Sequence, residues 1–372
     1  MVDPGLIWFR DAIMVGDRLV FAKDEPAPRQ RERNLWELDV DPVSGKPKGE
    51  ARRLTDWAGF KIVGLSATAD GSRLAFGNIR SQDDVFVGEL LDGGRLLGTP
   101  QRLTLDDRDD MPEGWTPDGR SVVFQSDRSG TPDLFVQGLD ERNPRELAGG
   151  AAAQMDSHLS PDGRWLLFWE LEDESGRWTA PRRLLRTPIG GGPTELVHES
   201  PAFASLDCAT DPDGSCLLSE VLGASFAMSR LDPMAGKQEE LLRKPLDLTH
   251  IPVVALSPDG SMLAMVGYSD EDQSIRLQNA LTGEVVRELR LEILPGLEFQ
   301  DIEWSPDANG FYIVGETPRG VAIVRVDMQG EAHVLLEDET GYYSSVNPSP
   351  DGRYLAFGKS TQDVNGWMVE GF

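Results

Sequence analysis

The chain has 372 residues, of which 27% are charged and 39% hydrophobic, and its formal net charge at pH 7 is −27. A chain this acidic repels nucleic-acid phosphates and anionic lipid headgroups. We therefore expect no nucleic-acid partner, and we expect its partner to be a cation or a basic protein or peptide. The alternative is that the acidity only keeps a β-rich protein soluble. No apolar run approaches the roughly 20 residues of a transmembrane helix, and the first residues lack the pattern of a signal peptide.

A motif built around a turn recurs along the chain. An early, degenerate copy is "AIMVGDRLVFAKD", and seven later copies resemble "SPDGRYLAFGK". The turn aspartates of these seven are Asp70, Asp118, Asp162, Asp213, Asp259, Asp307 and Asp351. A period of about 40–50 residues with short apolar alternations is typical of the blades of a β-propeller.

Each copy predicts four strands. A first strand leads into the turn, where proline presets φ, aspartate bonds the neighbouring backbone and glycine takes positive φ. A second strand follows ("RSVVFQ"), then a third ("DLFVQGL") and a short fourth ("PRELA"). The copy "SPDANG" at 305–310 is interpreted as carrying one inserted residue. The segment "SDRSG" at 126–130 is predicted to be a polar turn, not an active site, because Ser129 has no histidine within its blade.

We therefore predict an all-β fold, a single β-propeller of four-stranded blades, with eight blades preferred and seven as the alternative. With seven blades, residues 1–50 would partly form a cap. The last copy ends after its third strand, so "GLIWF" at 5–9 is expected to close the ring as the fourth strand. The predicted blades span residues 10–55, 62–104, 112–148, 156–197, 204–243, 252–290, 299–336 and 345–372.

The "SPDGR" hairpins followed by "SDRSGTPDLF" resemble the TolB-like propeller repeat, a relative of WD repeats, over nearly the whole chain. The ending "STQDVNGWMVEGF" is similar to the close of propellers found as C-terminal sensor regions of bacterial Ser/Thr kinases and winged-helix regulators. The resemblance implies a non-catalytic binding or sensor module, periplasmic or otherwise extracytoplasmic, within a larger bacterial signalling protein. We also expect a monomer.

Catalytic motifs are absent from the sequence: it has no Gly-x-Ser-x-Gly elbow and no Walker loop. We therefore expect no enzyme, the alternative being a propeller hydrolase of the metal-dependent lactonase type. Such an enzyme needs carboxylates in the central channel. Asp156, Asp207 and Asp301 share one register on three inner strands, with His158 and Glu303 two residues further along. The three aspartates are candidate Ca²⁺ ligands, or alternatively hydrogen-bond the backbone amides of the next blade. No other cofactor is expected.

One face of the propeller is predicted to be an acidic rim with aromatic anchors, which suits a basic peptide or protein segment. Its candidate residues are Asp106, Asp107, Asp109, Asp110, Trp57, Phe60, Asp270, Asp272, Glu337, Tyr342 and Tyr343. The alternative is that these are ordinary solvated loops. The opposite face, built from the Pro-Asp-Gly turns, is expected to be inert.

Cys208 and Cys216 flank one turn at an even spacing, which places both side chains on one face of the hairpin. They are candidates for a disulfide between diagonal cross-strand neighbours, and a disulfide would imply an oxidising compartment. The alternative is two buried free thiols that act as small hydrophobic side chains.

Overall fold

The computed structural model describes residues 12–25, 32–172, 180–245, 253–266, 274–291, 297–339 and 341–371. Throughout these ranges the regular structure is β-strand, apart from one short 3₁₀ turn. We find no helical segment there with the length and hydrophobicity that a membrane crossing requires. The all-β prediction is confirmed.

Thirty strands follow one another along the described chain. They are β1 (Ala12–Val15), β2 (Arg18–Asp24), β3 (Arg33–Val40), β4 (Pro47–Arg53), β5 (Ile62–Ala67), β6 (Arg73–Leu91), β7 (Leu96–Leu97), β8 (Gln101–Arg102), β9 (Asp110–Trp115), β10 (Ser121–Ser126), β11 (Asp133–Gly138), β12 (Arg145–Ala148), β13 (Ala153–Leu159), β14 (Trp165–Leu171), β15 (Arg182–Pro188), β16 (Glu195–Ser200), β17 (Ala204–Cys208), β18 (Cys216–Leu222), β19 (Ser225–Asp232), β20 (Gly236–Pro245), β21 (Val253–Leu256), β22 (Met262–Val266), β23 (Ser274–Asn279), β24 (Val285–Arg290), β25 (Glu298–Trp304), β26 (Gly310–Thr317), β27 (Gly320–Asp327), β28 (Ala332–Asp338), β29 (Tyr342–Pro348) and β30 (Tyr354–Glu370).

The chain divides into two compact units. The first unit comprises Met1–Gln82 and Thr361–Phe372, and the second unit comprises Asp83–Ser360. The first unit contains the sheet β1-β2-β3-β4 and, beside it in sequence, β5 with the beginning of β6 and the end of β30. Its described core contains Val20, Leu35, Ile62, Leu74 and Phe76.

The second unit is a ring of blades. Five of its four-stranded sheets are formed by consecutive strands, from β9–β12 through β25–β28. Among the described strands, the inner ones contact one another in the cyclic order β9, β13, β17, β21, β25, β29 and back to β9. The middle strands are apolar on both faces, as in β27 ("GVAIVRVD"), because each blade is covered by a neighbour on either side. The propeller prediction is confirmed.

The hairpins of all eight sequence copies are present, but the predicted blade limits 62–104 and 345–372 are wrong. The sheet order β29-β30-β6-β5 shows that β6 is the partner of both β5 and β30. Residues 83–91 of β6, with β8, therefore supply the third and fourth strands beside β29 and β30. Residues 361–370 of β30 lie beside β6 and β5 instead. The place predicted for "GLIWF" is thus held by β8, and residues 5–9 lie outside the described ranges.

The physical reason for this exchange is the missing turn. Between the second and third strands of an ordinary copy, "SDRSGTPD" offers glycine and proline, and Gly130 has φ 104°. The corresponding stretch "NIRSQDDVFV" of β6 contains neither residue type, so the chain continues extended. β30 also continues extended, although its corresponding stretch contains Gly366. The two strands pair antiparallel, with Leu90 N donating to Arg353 O at 2.8 Å.

The turn aspartates are engaged in holding their hairpins. In six copies a hydroxyl two residues before the aspartate donates to it at 2.5–2.7 Å. The pairs are Thr68–Asp70, Thr116–Asp118, Ser160–Asp162, Ser257–Asp259, Ser305–Asp307 and Ser349–Asp351.

The predicted insertion in "SPDANG" is wrong. Ser305 N donates to Gly310 O just as Ser349 N donates to Tyr354 O, both at 2.8 Å, so the two turns have the same length. The difference is a substitution, because Ala308, with φ 56°, takes the left-handed position that glycine holds in other copies.

We predict that Trp115→Phe destabilises the second unit by about 1 kcal/mol, because the hydrogen bond from its indole to Asn347 O would be lost. Trp115 is 4% exposed, and its indole N–H donates to Asn347 O across the β9–β29 junction at 2.8 Å. Urea unfolding monitored by far-UV circular dichroism measures the effect. Leu105→Ala, at a side chain 67% exposed, is the control and should leave the midpoint unchanged. Equal midpoints for the two variants would contradict the assigned role of Trp115.

Candidate functional site

The inner strands of the second unit carry a concentration of carboxylates towards the central channel. Glu113 lies on β9, Asp207 on β17, and Asp301 and Glu303 on β25. Asp156 and His158 lie on β13. These six side chains are each partly accessible to solvent, yet surrounded by the walls of the ring.

Two of the carboxylates bind the backbone of the next blade. β13 has a bulge at Asp156 and Ser157, where the ladder to β14 shifts register and Asp156 takes φ 52°. A bulge leaves backbone N–H groups without a ladder partner. Glu113 accepts hydrogen bonds from the backbone N–H of Asp156, at 3.2 Å, and of Ser157.

The same arrangement recurs where β25 meets β29. β29 has a bulge between Tyr343 and Val346, and the Asp301 Oδ2 accepts from Val346 N at 2.9 Å. This is the alternative role that the sequence offered for Asp301. Glu113 was missed by the sequence analysis, because the bulge in β9 shifts it one residue out of the common register.

Burial changes the protonation of these groups. It raises the pKa of Glu113 to about 7, with a further contribution from the Asp156 charge. It raises the pKa of Asp207 to about 7, with a contribution from Asp301, and that of Asp301 to about 6. The pKa of Glu303 is raised well above its ordinary value by burial and by the charges of Asp301 and Asp207. Groups perturbed in this way are concentrated at functional sites in proteins generally.

His158 adds no positive charge to balance the channel. Burial lowers its pKa to about 4, against the opposing influence of Asp156. At neutral pH the imidazole is therefore uncharged.

Asp207 stands out within this group. No hydrogen bond to its carboxylate occurs within the described parts of the chain, whereas Glu113 and Asp301 are each held by backbone amides. Asp207, Asp301 and Glu303 influence one another electrostatically, so they form one acidic cluster. We refer to these three residues as the channel acid cluster.

The predicted Ca²⁺ site is not formed as expected. Asp156, Asp207 and Asp301 all line the channel, but the described residues contain no group of three His, Cys, Asp or Glu side chains placed to hold one metal ion. Asp156 interacts with Glu113, while Asp207 and Asp301 interact with each other. The shared register places the three on different blades without bringing their carboxylates to one point.

The predicted acidic rim needs two corrections. Asp110 is 0% exposed and pairs with Arg128 at 2.9 Å, so it is a core residue. Arg128 lies 4.6 Å from the ring centroid of Phe135, which explains why "SDRSG" forms a stable turn. Tyr343 is 1% exposed and packs edge-on against Phe357, so it is no surface anchor.

Other predicted rim carboxylates have structural partners. Asp106 lies 3.3 Å from Arg128, and Asp109 accepts from Asp83 N at 3.1 Å. Asp107 and Glu337 are exposed, and Tyr342 is 39% exposed. Asp270 and Asp272 lie outside the described residues.

The two predicted aromatic anchors Trp57 and Phe60 belong to the first unit. Their ring centroids are 5.0 Å apart, and Trp57 stacks on Phe76 at 5.5 Å. Phe60 meets Trp367 edge-on at 5.3 Å. These rings form a cluster that packs on the core of the first unit.

Cys208 and Cys216 form a disulfide in the structure. They lie directly opposite each other on β17 and β18, with their Cα atoms 4.0 Å apart, rather than diagonally as the sequence analysis had it. The disulfide joins β17 to β18 next to the turn, one residue after Asp207.

Comparison with known proteins supports the fold. No family model matches the chain. A solved structure assigned as TolB from Agrobacterium tumefaciens superposes with a TM-score of 0.57 at 15% identity, covering 76% of this chain and 99% of that one. The chain has a TolB-like β-propeller fold.

Two curated relatives match shorter segments. TolB of Wolinella succinogenes is 32% identical over 93 residues, or 25% of this chain and 21% of that protein. An uncharacterized protein of Agrobacterium fabrum is 28% identical over 106 residues, or 28% of this chain and 33% of that protein. The chain thus matches a third or less of the length of these two relatives.

We predict that Asp207→Asn stabilises the protein at pH 8 and loses this advantage in acid. The ordinary pKa of the carboxyl is 3.8, and in the folded protein it is about 7. The stability that the protonated form confers is fully present below pH 3.8 and is lost as the pH rises through about 7. An uncharged amide avoids that loss, so we expect a gain on the order of 1–3 kcal/mol at pH 8.

Melting temperatures measured from pH 4 to pH 8 test this prediction. Asp213→Asn, in the exposed turn of the same hairpin, is the matched control and should follow the parent protein at every pH. A constant difference between Asp207→Asn and the parent across the range would contradict the assigned burial.

Proposed function

We propose that the second unit is a non-catalytic binding module whose channel receives a cationic group of a basic protein or peptide segment. The observation that carries this proposal is the channel acid cluster. The charge of Asp301 raises the pKa of Asp207, the charges of Asp301 and Asp207 raise the pKa of Glu303, and Asp207 accepts no hydrogen bond within the described chain.

Physical chemistry favours a cation at this place. Burying carboxylates without a partner costs free energy, and a protein retains such groups where a ligand compensates them. A lysine or arginine side chain entering the channel would supply both positive charge and hydrogen-bond donors. Binding would then favour the ionised carboxylates and release protons near neutral pH.

The exposed part of the rim extends the same chemistry. Asp107 precedes β9, and Glu337 and Tyr342 lie at the end of β28 and the start of β29. These positions belong to connections from a fourth strand to the next first strand, and all such connections lie on one face of the ring. A basic segment would meet carboxylates there before its terminal group reaches the channel.

A sensor role within a bacterial signalling protein extends the proposal. Its support is the resemblance of the repeats and of the ending "STQDVNGWMVEGF" to sensor propellers. The segment match to TolB of Wolinella succinogenes names no ligand.

A propeller hydrolase of the lactonase type is the second candidate. The observation that favours it is that Glu113 and Asp207 have pKa values of about 7, which suits proton transfer at neutral pH. Turnover of a panel of lactones and esters that is lost in Asp207→Asn would replace the binding proposal with this one.

Titration with short oligolysine and oligoglutamate peptides tests the binding proposal. Isothermal titration calorimetry at low salt should detect oligolysine binding only, weakened as salt screens the charges. The double variant Asp207→Asn/Glu303→Gln should bind oligolysine about tenfold more weakly, a loss of about 1.4 kcal/mol. Asp213→Asn is the control. Equal affinities of the double variant and the control would refute the channel as the binding site.

A further inference from the structure

A second cavity lies on the face of the Pro-Asp-Gly turns, which the sequence analysis expected to be inert. It has a volume of about 250 Å³. Three elements of the second unit form its wall: the loop after β6, the turn between β25 and β26, and the turn between β27 and β28. The charged and titratable side chains of its lining are Arg95, Arg325, Asp307, Asp327 and His333.

Arg325 is the unusual member of this wall. It is only 6% exposed, and no carboxylate oxygen lies within 4.0 Å of it among the described residues. Its Nη1 donates to the carbonyls of Val326 and Phe311, the latter at 3.4 Å, and its Nη2 donates to Ser305 Oγ at 3.3 Å. Its Nε has no hydrogen-bond partner among the described residues, although the guanidinium interacts with the Tyr312 hydroxyl. Asp307 compensates this guanidinium in part, without forming an ion pair with it, and an anion bound beside the guanidinium would compensate it further.

Neighbouring side chains direct a ligand towards Arg325. In the sheet Arg325 lies between Tyr312 on β26 and His333 on β28, and its guanidinium lies 5.1 Å from the Tyr312 ring centroid. Arg95 is exposed on the opposite wall. The glycine at position 94 allows the loop after β6 to approach Tyr312 closely, because a Cβ atom at this position would overlap the Tyr312 hydroxyl. Two guanidinium groups therefore face one small space.

The cavity also carries negative charge. Asp307 is engaged by Ser305 and Asn309 in its turn. Asp327 accepts from Gln329 N and Glu331 N through Oδ1 alone, at 2.8 and 2.9 Å. The Asp327 Oδ2 accepts no hydrogen bond within the described residues. Cationic and anionic groups thus stand on the same wall, and a purely anionic ligand would be opposed by both aspartates.

We infer that this cavity binds a small amino-acid-like zwitterion, with its carboxylate at Arg325 and Arg95 and its ammonium group at Asp327. The guanidinium fork matches carboxylate geometry, and charge-assisted hydrogen bonds are the stronger kind. The volume is below the roughly 300–1,000 Å³ of sites for drug-sized ligands, which favours a small molecule. This inference is independent of the channel proposal.

Calorimetric titration of the full chain with four probes tests the inference. Glycine and glutamine carry both charges, acetate carries only the carboxylate, and glycinamide carries only the ammonium group. We expect saturable binding of glycine and glutamine, with acetate and glycinamide at least about tenfold weaker. No saturable binding of any probe, or acetate binding as tightly as glycine, would overturn the assignment.

Two arginine variants locate the site. Arg95→Ala should weaken glycine binding about tenfold, because it removes one charged donor from an exposed position without disturbing the core. Arg319→Ala removes an equally exposed arginine from the turn between β26 and β27, outside the cavity lining, and should bind as the parent does. Equal affinities of the two variants would overturn the assignment to this cavity.

Discussion

The antiparallel pairing of β6 with β30 is the constraint on which the ring of the second unit depends. A circular array of blades is stable only when its first and last elements are joined, because an unpaired edge exposes backbone polar groups. Here Asp83–Leu91 lies beside Tyr354–Ser360, with Leu90 bonded to Arg353 at one end and Ser360 to Asp83 at the other. Residues from near the start and the end of the chain thus complete one blade.

Closure brings inner strands from different blades close together. Bulges in these strands leave backbone N–H groups without a ladder partner, and these groups require hydrogen-bond acceptors. Glu113 and Asp301 meet that need by accepting backbone N–H groups of neighbouring strands. The same narrow channel surrounds Asp207 and Glu303, for which burial raises the pKa. Carboxylates at this position therefore have two roles. Some join neighbouring blades through hydrogen bonds, and the burial of others is unfavourable in free energy unless a ligand compensates their charge.

The sequence predicted the repeats, the hairpin turns and the propeller, because turn chemistry and apolar alternation are local properties. It could not predict the exchange between β6 and β30, since the absence of a glycine or proline shows only that a turn is missing, not where the strand goes. The prediction that Asp110 and Tyr343 lie on an exposed acidic rim was wrong, because burial depends on neighbours distant in sequence. Asp207 and Asp301 were found because they share a register, while the bulge in β9 concealed Glu113.

The central claim is that the closed ring contains an acidic cluster that binds a cationic group. The pKa of Asp207 tests this claim most directly. Carbon-detected NMR of the carboxyl groups, assigned with Asp207→Asn, measures it in the free protein and with oligolysine bound. The account predicts a pKa of about 7 in the free protein and a clear decrease on binding. An ordinary value near 3.8 that does not change with the peptide would contradict it.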